Sequence, residues 1–398
     1  MAHMNRKTTA LLSIAILAVA IASGLSVLFF LNQEGNVDTK LQNLMDKGNV
    51  PSLAAGIVLN DTLVWSKGYG EQSDLDTVYM VGSVSKVFMA TAMMQLYDKG
   101  LVDLDADIND YIPFSVRNPS FPNTAITVRM LLTHSPGLAT DVSNQTLWDL
   151  DADSLKWSND YLGTNFTILD SRPLLGEFLD ESLNPSGAYY SSDNWASQPG
   201  TKFEYSNAGF LLLGYIVEQI TNQPLPEYVQ QNILTPLDMQ STGYDYSDFA
   251  GRNAVPYDLK DNELFELPLY NSYNFGAAGL RSTVSDLSNF LIAHMNEGGY
   301  KGSHILQPET VYLMQTSQFT YFNQGLGWQL FPGIIGHGGS VVGYRAFIGF
   351  KTVDNVKVGI VFMINRNELL GEDKYLVDTV FHAMANVLFN EATRLAST

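Results

Sequence analysis

Apolar positions change their spacing several times along this chain, and each change predicts an element. Residues 9–31, TALLSIAILAVAIASGLSVLFFL, carry no charge. That is long enough to cross a bilayer as a helix, whereas the apolar core of a cleaved signal usually runs about 7 to 15 residues. Arg6 and Lys7 precede it, so the expectation is a single-pass membrane anchor with everything after Leu31 outside the cytoplasm. A cleaved signal is the alternative. Met1-Ala2-His3 reads as a cloning remnant before Met4 and is set aside. Polar residues 32–40 form a tether. The expected division is 1–36 (remnant, anchor and tether) and 37–398 (one folded domain).

After the tether, LQNLMDKG has a helical period ending at Gly48, and SLAAGIVLNDTLVWSKGYG gives two apolar runs about Asn60-Asp61, a strand–turn–strand signal. A helix is predicted over 87–101 and a short one in ITVRMLLTHSPGL, stopped by Pro136-Gly137. Residues 139–200 are rich in Asp, Asn, Ser and Trp with weak periodicity, and are expected to form an irregular insertion overhanging a site. NAGFLLLGYIVEQITNQPLPEYVQQNIL contains two helices split near Asn222. STVSDLSNFLIAHMNEGG predicts a helix capped by Ser282, with Asp286 nearby, and the chain ends in a strand–strand–helix pattern. Strands at both ends with helices between imply one sheet built from both termini around a helical middle, an α/β (α+β) class.

Composition narrows the possibilities. Of 398 residues, 45% are hydrophobic and 16% charged, enough for a large core. A net charge of −19 argues against nucleic-acid partners, which need a basic surface. There are no cysteines, hence no disulfides or thiolate metal sites, and the six histidines are scattered without a His-Glu-x-x-His. No cofactor or metal is implied. Three Asn-x-Ser/Thr sequons, at Asn60, Asn144 and Asn165, are compatible with export. The oligomeric state is not legible.

One stretch, VYMVGSVSKVFMATAMMQLYDKG (78–100), is mostly apolar yet carries Ser83 and Lys86 three residues apart. Residues i and i+3 share a helix face, so hydroxyl and amine would lie together. A serine is a poor nucleophile until a neighbour takes its proton, and a lysine one turn away can do so. Further on stand Tyr205-Ser206-Asn207 and His337-Gly338-Gly339-Ser340, following Ser83 and Tyr205 by 122 and 132 residues respectively. The Asn207 amide can accept from Lys86 through its oxygen while its nitrogen donates to a substrate carbonyl. Gly338 and Gly339 would let a strand approach a substrate closely.

Ser-x-x-Lys, Tyr-x-Asn and a late Gly-rich strand opening on a basic residue, in this order, resemble the three-part pattern of serine β-lactamases and penicillin-binding proteins. The Tyr variant is most similar to class C β-lactamases, DD-peptidases and their esterase and aminopeptidase relatives. PGTKFEYSNAGFLLLGYIVEQITNQPLPEYVQQNILTPLDM, GAAGLRSTVSDLSNFL and GLGWQLF extend the likeness over nearly the whole chain after the anchor. The resemblance implies a β-lactamase/transpeptidase-like fold: an antiparallel sheet built from both chain ends, flanked by helices, with a mainly helical subdomain. It implies a serine hydrolase acting through an acyl-enzyme on a small ester, amide or peptide. Ser83 would be the nucleophile, Lys86 and Tyr205 would share the base role, and the N–H groups of Ser83 and Ser340 would bind the oxyanion. Asn207, His337, Gly338, Gly339 and Ser340 would complete substrate binding.

His337 replaces the lysine that typical β-lactamases carry there. An imidazole near its reference pKa of about 6.5 holds a carboxylate weakly at pH 8. Esters should therefore be preferred over β-lactams, with β-lactam turnover improving from about pH 8 toward 6. His134 is expected to be structural, at a helix end and outside the site, and Arg345 to lie at the surface, with binding of a substrate carboxylate as its alternative. A conventional α/β-hydrolase elbow is excluded because Val81 and Ser85 occupy its glycine positions. The remaining alternatives are a true β-lactamase or DD-peptidase, and a non-turnover sensor on the same fold.

Overall fold

Period-two burial decides the sheet. In β1 (Ser52–Leu59) all residues but the last are buried. Leu53, Ala55 and Ile57 enter one apolar layer and Ala54 and Val58 the other. Such two-sided burial marks a central strand. The structure, a computed structural model, describes residues 35–398 apart from 73, 166–167, 169–171, 261–262, 320–322 and 368–373. The expected anchor at 9–31 lies outside the described residues. Among the described residues, no helix is long and apolar enough to cross a membrane.

β1 turns at Asn60, whose φ of 53° suits an Asn, into the edge strand β2 (Thr62–Gly70). On its other side β1 pairs with β6 (Val356–Ile364), from Leu53 opposite Ile364 to Leu59 opposite Val358. β5 (Tyr344–Val353), β4 (Ile334–Val341) and β3 (Gln329–Phe331) follow. The order is β2-β1-β6-β5-β4-β3, antiparallel throughout. The sheet is thus built from both ends of the chain, as expected.

Helices α1 (Val37–Lys47) and α5 (Lys374–Ala396) cover one face through Leu41, Leu44, Phe381, Met384 and Leu388. The other face meets α4 (Val284–Met295), and α2 (Ser85–Asp98) and α3 (Asn207–Thr221) pack together in the same apolar layer beyond it. A Cβ on Gly56 of β1 would stand 2.7 Å from Val284 Cγ1, so α4 rests directly on the strand. α2 is buried from Ser85 to Leu96 on every side rather than along one stripe. This all-round burial makes it the central helix of the second layer, with Phe88 stacked on Phe290 of α4 at 3.8 Å between ring centroids. Burying each such ring contributes about 1.5–3 kcal/mol.

Two expectations are corrected. Ser282 does not cap α4: Arg281–Ser282 pairs as a short strand with Tyr79–Met80, and the Ser282 hydroxyl bonds that of Thr242 at 2.7 Å. The helix starts one residue later, with Thr283 Oγ1 accepting from the Asp286 N–H at 3.3 Å. The 139–200 segment is also more ordered than its composition suggests. It holds the helices Gln145–Asp149, Ala152–Leu162 and Leu175–Leu183. These are short and bury only a few residues each, such as Trp148 stacked on Phe178, so no helical period builds up in the sequence.

Candidate active site

The chain enters α2 through a tight 3₁₀ turn, Gly82–Val84, with Ser83 in its middle, half-buried and facing a cleft. Gly82 has a φ of 53°, open to glycine at no steric cost. A Cβ there would also lie 2.8 Å from the backbone nitrogen of Ser340. From the opposite side, a Cβ on Gly339 would fall 1.9 Å from the Val81 carbonyl oxygen and 3.2 Å from the Ser83 nitrogen. β4 and the Ser83 turn therefore meet backbone to backbone, and glycine at 82 and 339 is what permits it. A Cβ on Gly338 would instead stand in open space.

Lys86, the second residue of α2 and one turn on from Ser83, is fully buried. Its Nζ donates to Ser83 Oγ at 3.1 Å, Asn207 Oδ1 at 2.7 Å and the Ala277 carbonyl at 3.0 Å. Asn207 is the first residue of α3, and Ser206 before it caps that helix by accepting from the Gly209 N–H at 3.0 Å. Tyr205 lines the cleft with its ring centroid 5.0 Å from Nζ. All eight expected residues thus converge around one end of β4 and α2, but with different exposures. Gly338, Gly339 and Ser340 line the cleft, whereas the His337 side chain is 1% exposed and does not. The Ser340 hydroxyl accepts from Asn367 Nδ2 at 2.9 Å.

The expectation that His337 titrates near neutrality is corrected. Burial, reinforced by the Lys86 ammonium, pushes its pKa down to about 3. The ring stays neutral, with Nδ1–H donating to the Gly338 carbonyl at 2.7 Å, which leaves the Nε2 lone pair buried without a partner among the described residues. His134 closes a helix end as expected, with a φ of 55° and its N–H on the Leu131 carbonyl at 3.3 Å, beside the Ser135 N–H on the Met130 carbonyl at 2.8 Å; its buried ring also backs Tyr205. Its ring stacks on Tyr205 at 4.3 Å between centroids and accepts through Nδ1 from the Ser206 N–H at 3.1 Å. Neutral His134 therefore carries its proton on Nε2. Burial, then Lys86, then His337 depress its pKa well below the usual value. Nothing in LLTHSPG signals this, because the contact spans 71 residues between His134 and Tyr205. Arg345, expected at the surface, lines the cleft and pairs with Asp378 at 2.6 Å.

The insertion supplies a further set that sequence reading missed. Asn207 Nδ2 donates to Asp141 Oδ1 at 2.9 Å, and Gln145 Nε2 donates to the same oxygen at 2.9 Å and to Asp149 Oδ2 at 3.4 Å. Asp149 also accepts from Asn274 Nδ2 at 3.2 Å, and burial raises its pKa to about 7. The Asn274 carbonyl receives the N–H groups of Ala277, Ala278 and Gly279, closing the turn that aims Ala277 O at Lys86. Among the described residues, no group of His, Asp and Glu is arranged to hold a metal ion.

The Beta-lactamase family model matches residues 37–384. The chain belongs to the beta-lactamase family. Protein flp of Staphylococcus aureus (strain MRSA252) is 24% identical over 348 residues, covering 84% of this chain and 64% of the relative. The chain thus spans under two thirds of that relative's length. Among solved structures, the octameric penicillin-binding protein homologue from Pyrococcus abyssi aligns with a TM-score of 0.67 at 23% identity, over 89% of this chain and 77% of that one. D-amino acid amidase from Ochrobactrum anthropi SV3 aligns at 0.66 and 19% identity, over 91% and 99%. At such identities the likeness is one of fold. For a beta-lactamase-family chain, the buried neutral imidazole on β4 is the local departure with the clearest physical consequence.

That consequence is measurable in stability. A folded-state imidazole pKa below the unfolded value means the folded chain binds fewer protons. The stability present above about pH 6.5 is then lost as pH falls toward about 3. At pH 5 the loss is about 2 kcal/mol for one such group. Urea unfolding of wild type and His337→Gln at pH 7 and 5 should show the variant losing about 2 kcal/mol less. Parallel losses in the two proteins would contradict the assignment.

Proposed function

We propose that this chain is a serine hydrolase working through an acyl-enzyme, with Ser83 as nucleophile and Lys86 and Tyr205 as the base. The observation that carries the reading is the coordination of Lys86 Nζ. Asn207 Oδ1 and Ala277 O occupy two of its hydrogen-bonding directions, and the third points at Ser83 Oγ. As a free amine, Lys86 keeps both N–H donors on those carbonyls and turns its lone pair to the serine hydroxyl. Ser83 Oγ then bonds the acyl carbon as its proton passes to the Lys86–Tyr205 pair. The same proton goes to the leaving group as the scissile bond breaks, and water later repeats the sequence to free the acid. Oxyanion stabilisation would come from the Ser83 and Ser340 N–H groups, whose backbones are brought together by Gly82 and Gly339.

The substrate class we infer is a neutral ester, amide or peptide. Arg345, which lines the cleft, already shares its charge with Asp378, and His337 is uncharged, so the cleft offers a substrate carboxylate little unshared positive charge. We also place the catalytic domain outside the cytoplasm behind an N-terminal anchor, from the uncharged run at 9–31 that follows Arg6 and Lys7.

Two measurements test this. Lys86→Ala and Tyr205→Phe should each lower kcat by about two to four powers of ten, and the double variant should be little worse than either because they act as one proton-transfer unit. Fully additive losses would mean independent roles. In a panel of short nitrophenyl esters, nitrocefin and D-Ala-D-Ala peptides, esters should be turned over fastest. The ester-to-nitrocefin ratio should hold steady between about pH 8 and 6 because His337 does not charge there. A faster nitrocefin reaction would make the chain a β-lactamase, and labelling of Ser83 without any turnover would make it a sensor.

A further inference from the structure

The cleft that Ser83, Tyr205 and Asn207 open into has a volume of about 600 Å³, within the range of sites that enclose small organic ligands. Its far wall is apolar: Phe331 of β3, Ile334 of β4, Phe347 of β5, and Phe381, Ala385 and Phe389 of α5. The rings are linked, with Phe347 6.4 Å from both Phe331 and Phe389 between centroids. Phe347 stands opposite Gly338 in the β4–β5 register, where a Cβ would meet nothing within 4 Å. The glycine therefore leaves open space between the nucleophile and that ring. Phe331 is 42% exposed, a large apolar surface at the mouth of a reactive cleft.

The polar groups on the α5 side bond mainly to one another, although Arg345 Nε stays buried without a partner among the described residues. Arg345 pairs with Asp378 and lays its guanidinium 4.6 Å from the centre of the Phe381 ring. His382 Nδ1–H donates to the Asp378 carbonyl at 2.7 Å, and Asn386 Nδ2 to the His382 carbonyl at 3.1 Å, both along their own helix. The positive charge on this side is shared with Asp378, while several aromatic faces remain to bind hydrocarbon.

We propose that the α5 wall selects substrates bearing an uncharged aryl or medium-chain alkyl group on the ester or amide cleaved at Ser83. This deepens the hydrolase reading and rests on it: the wall names the group that the neutral substrate carries. Its continuity with Ser83 in one cleft argues for a substrate rather than a partner protein as occupant.

Two ester series test it: 4-nitrophenyl esters lengthened from acetyl to hexanoyl, and acetates lengthened from methyl to hexyl. In one of them kcat/KM should climb roughly 3- to 4-fold per methylene. Phe331→Ala and Phe347→Ala should flatten that climb. Because the slope is a ratio within one protein, loss of folded material does not move it. Flat series in wild type, or slopes unchanged in both variants, overturn the proposal. If wild type hydrolyses no ester in either series and neither nitrocefin nor D-Ala-D-Ala peptides, the hydrolase reading fails, and calorimetry on Ser83→Ala protein decides the wall separately. Affinity rising with chain length upholds it, and equal affinities refute it.

Discussion

Lys86 Nζ is held by three oxygens, one local and two from distant parts of the chain: Ser83 one turn before it, Asn207 at the head of α3, and Ala277 in the turn before α4. Taking an amine out of water costs several kcal/mol unless its donors are satisfied. At a position with no measurable exposure, that requirement falls on these acceptors. It forces α2, α3 and the turn at Asn274 to a common point in the second layer. The first layer then completes the site, because β4 reaches the Ser83 turn only where Gly339 lets its backbone touch that of Val81.

The acceptors are themselves secured from behind. Asp149 contacts Gln145, which reaches Asp141 and through it Asn207, and also contacts Asn274, whose carbonyl closes the Ala277 turn. A single carboxyl in the insertion thus joins the supports of two of the three Lys86 acceptors. His134 does similar work for the phenol, stacking on Tyr205 while holding the Ser206 N–H. The insertion is accordingly part of the frame around the site as well as its neighbour.

How much of this the sequence discloses depends on how local the cause is. The β1–β2 hairpin, the α3 break at Asn222 and the terminal strand–strand–helix each follow from a period and a turn residue, and each is found where expected. Ser83 and Lys86 are joined by helical geometry alone. The Thr283 cap is displaced by one residue because strand pairing of Ser282 with Tyr79 is a tertiary fact. His134 on Tyr205 and Asp141 on Asn207 are contacts across about 70 residues between loop and helix start, which no periodicity records. The neutral state of His337 likewise depends on burial and on the neighbouring amine rather than on its place in a motif.

The central claim is that this convergence makes one serine reactive. Treatment of the folded protein with a fluorophosphonate, followed by intact-mass spectrometry and peptide mapping, measures it directly. The account predicts a single adduct, located on Ser83 and formed much more slowly in Lys86→Ala. An adduct on any other serine, or none on a folded wild-type chain, would contradict it.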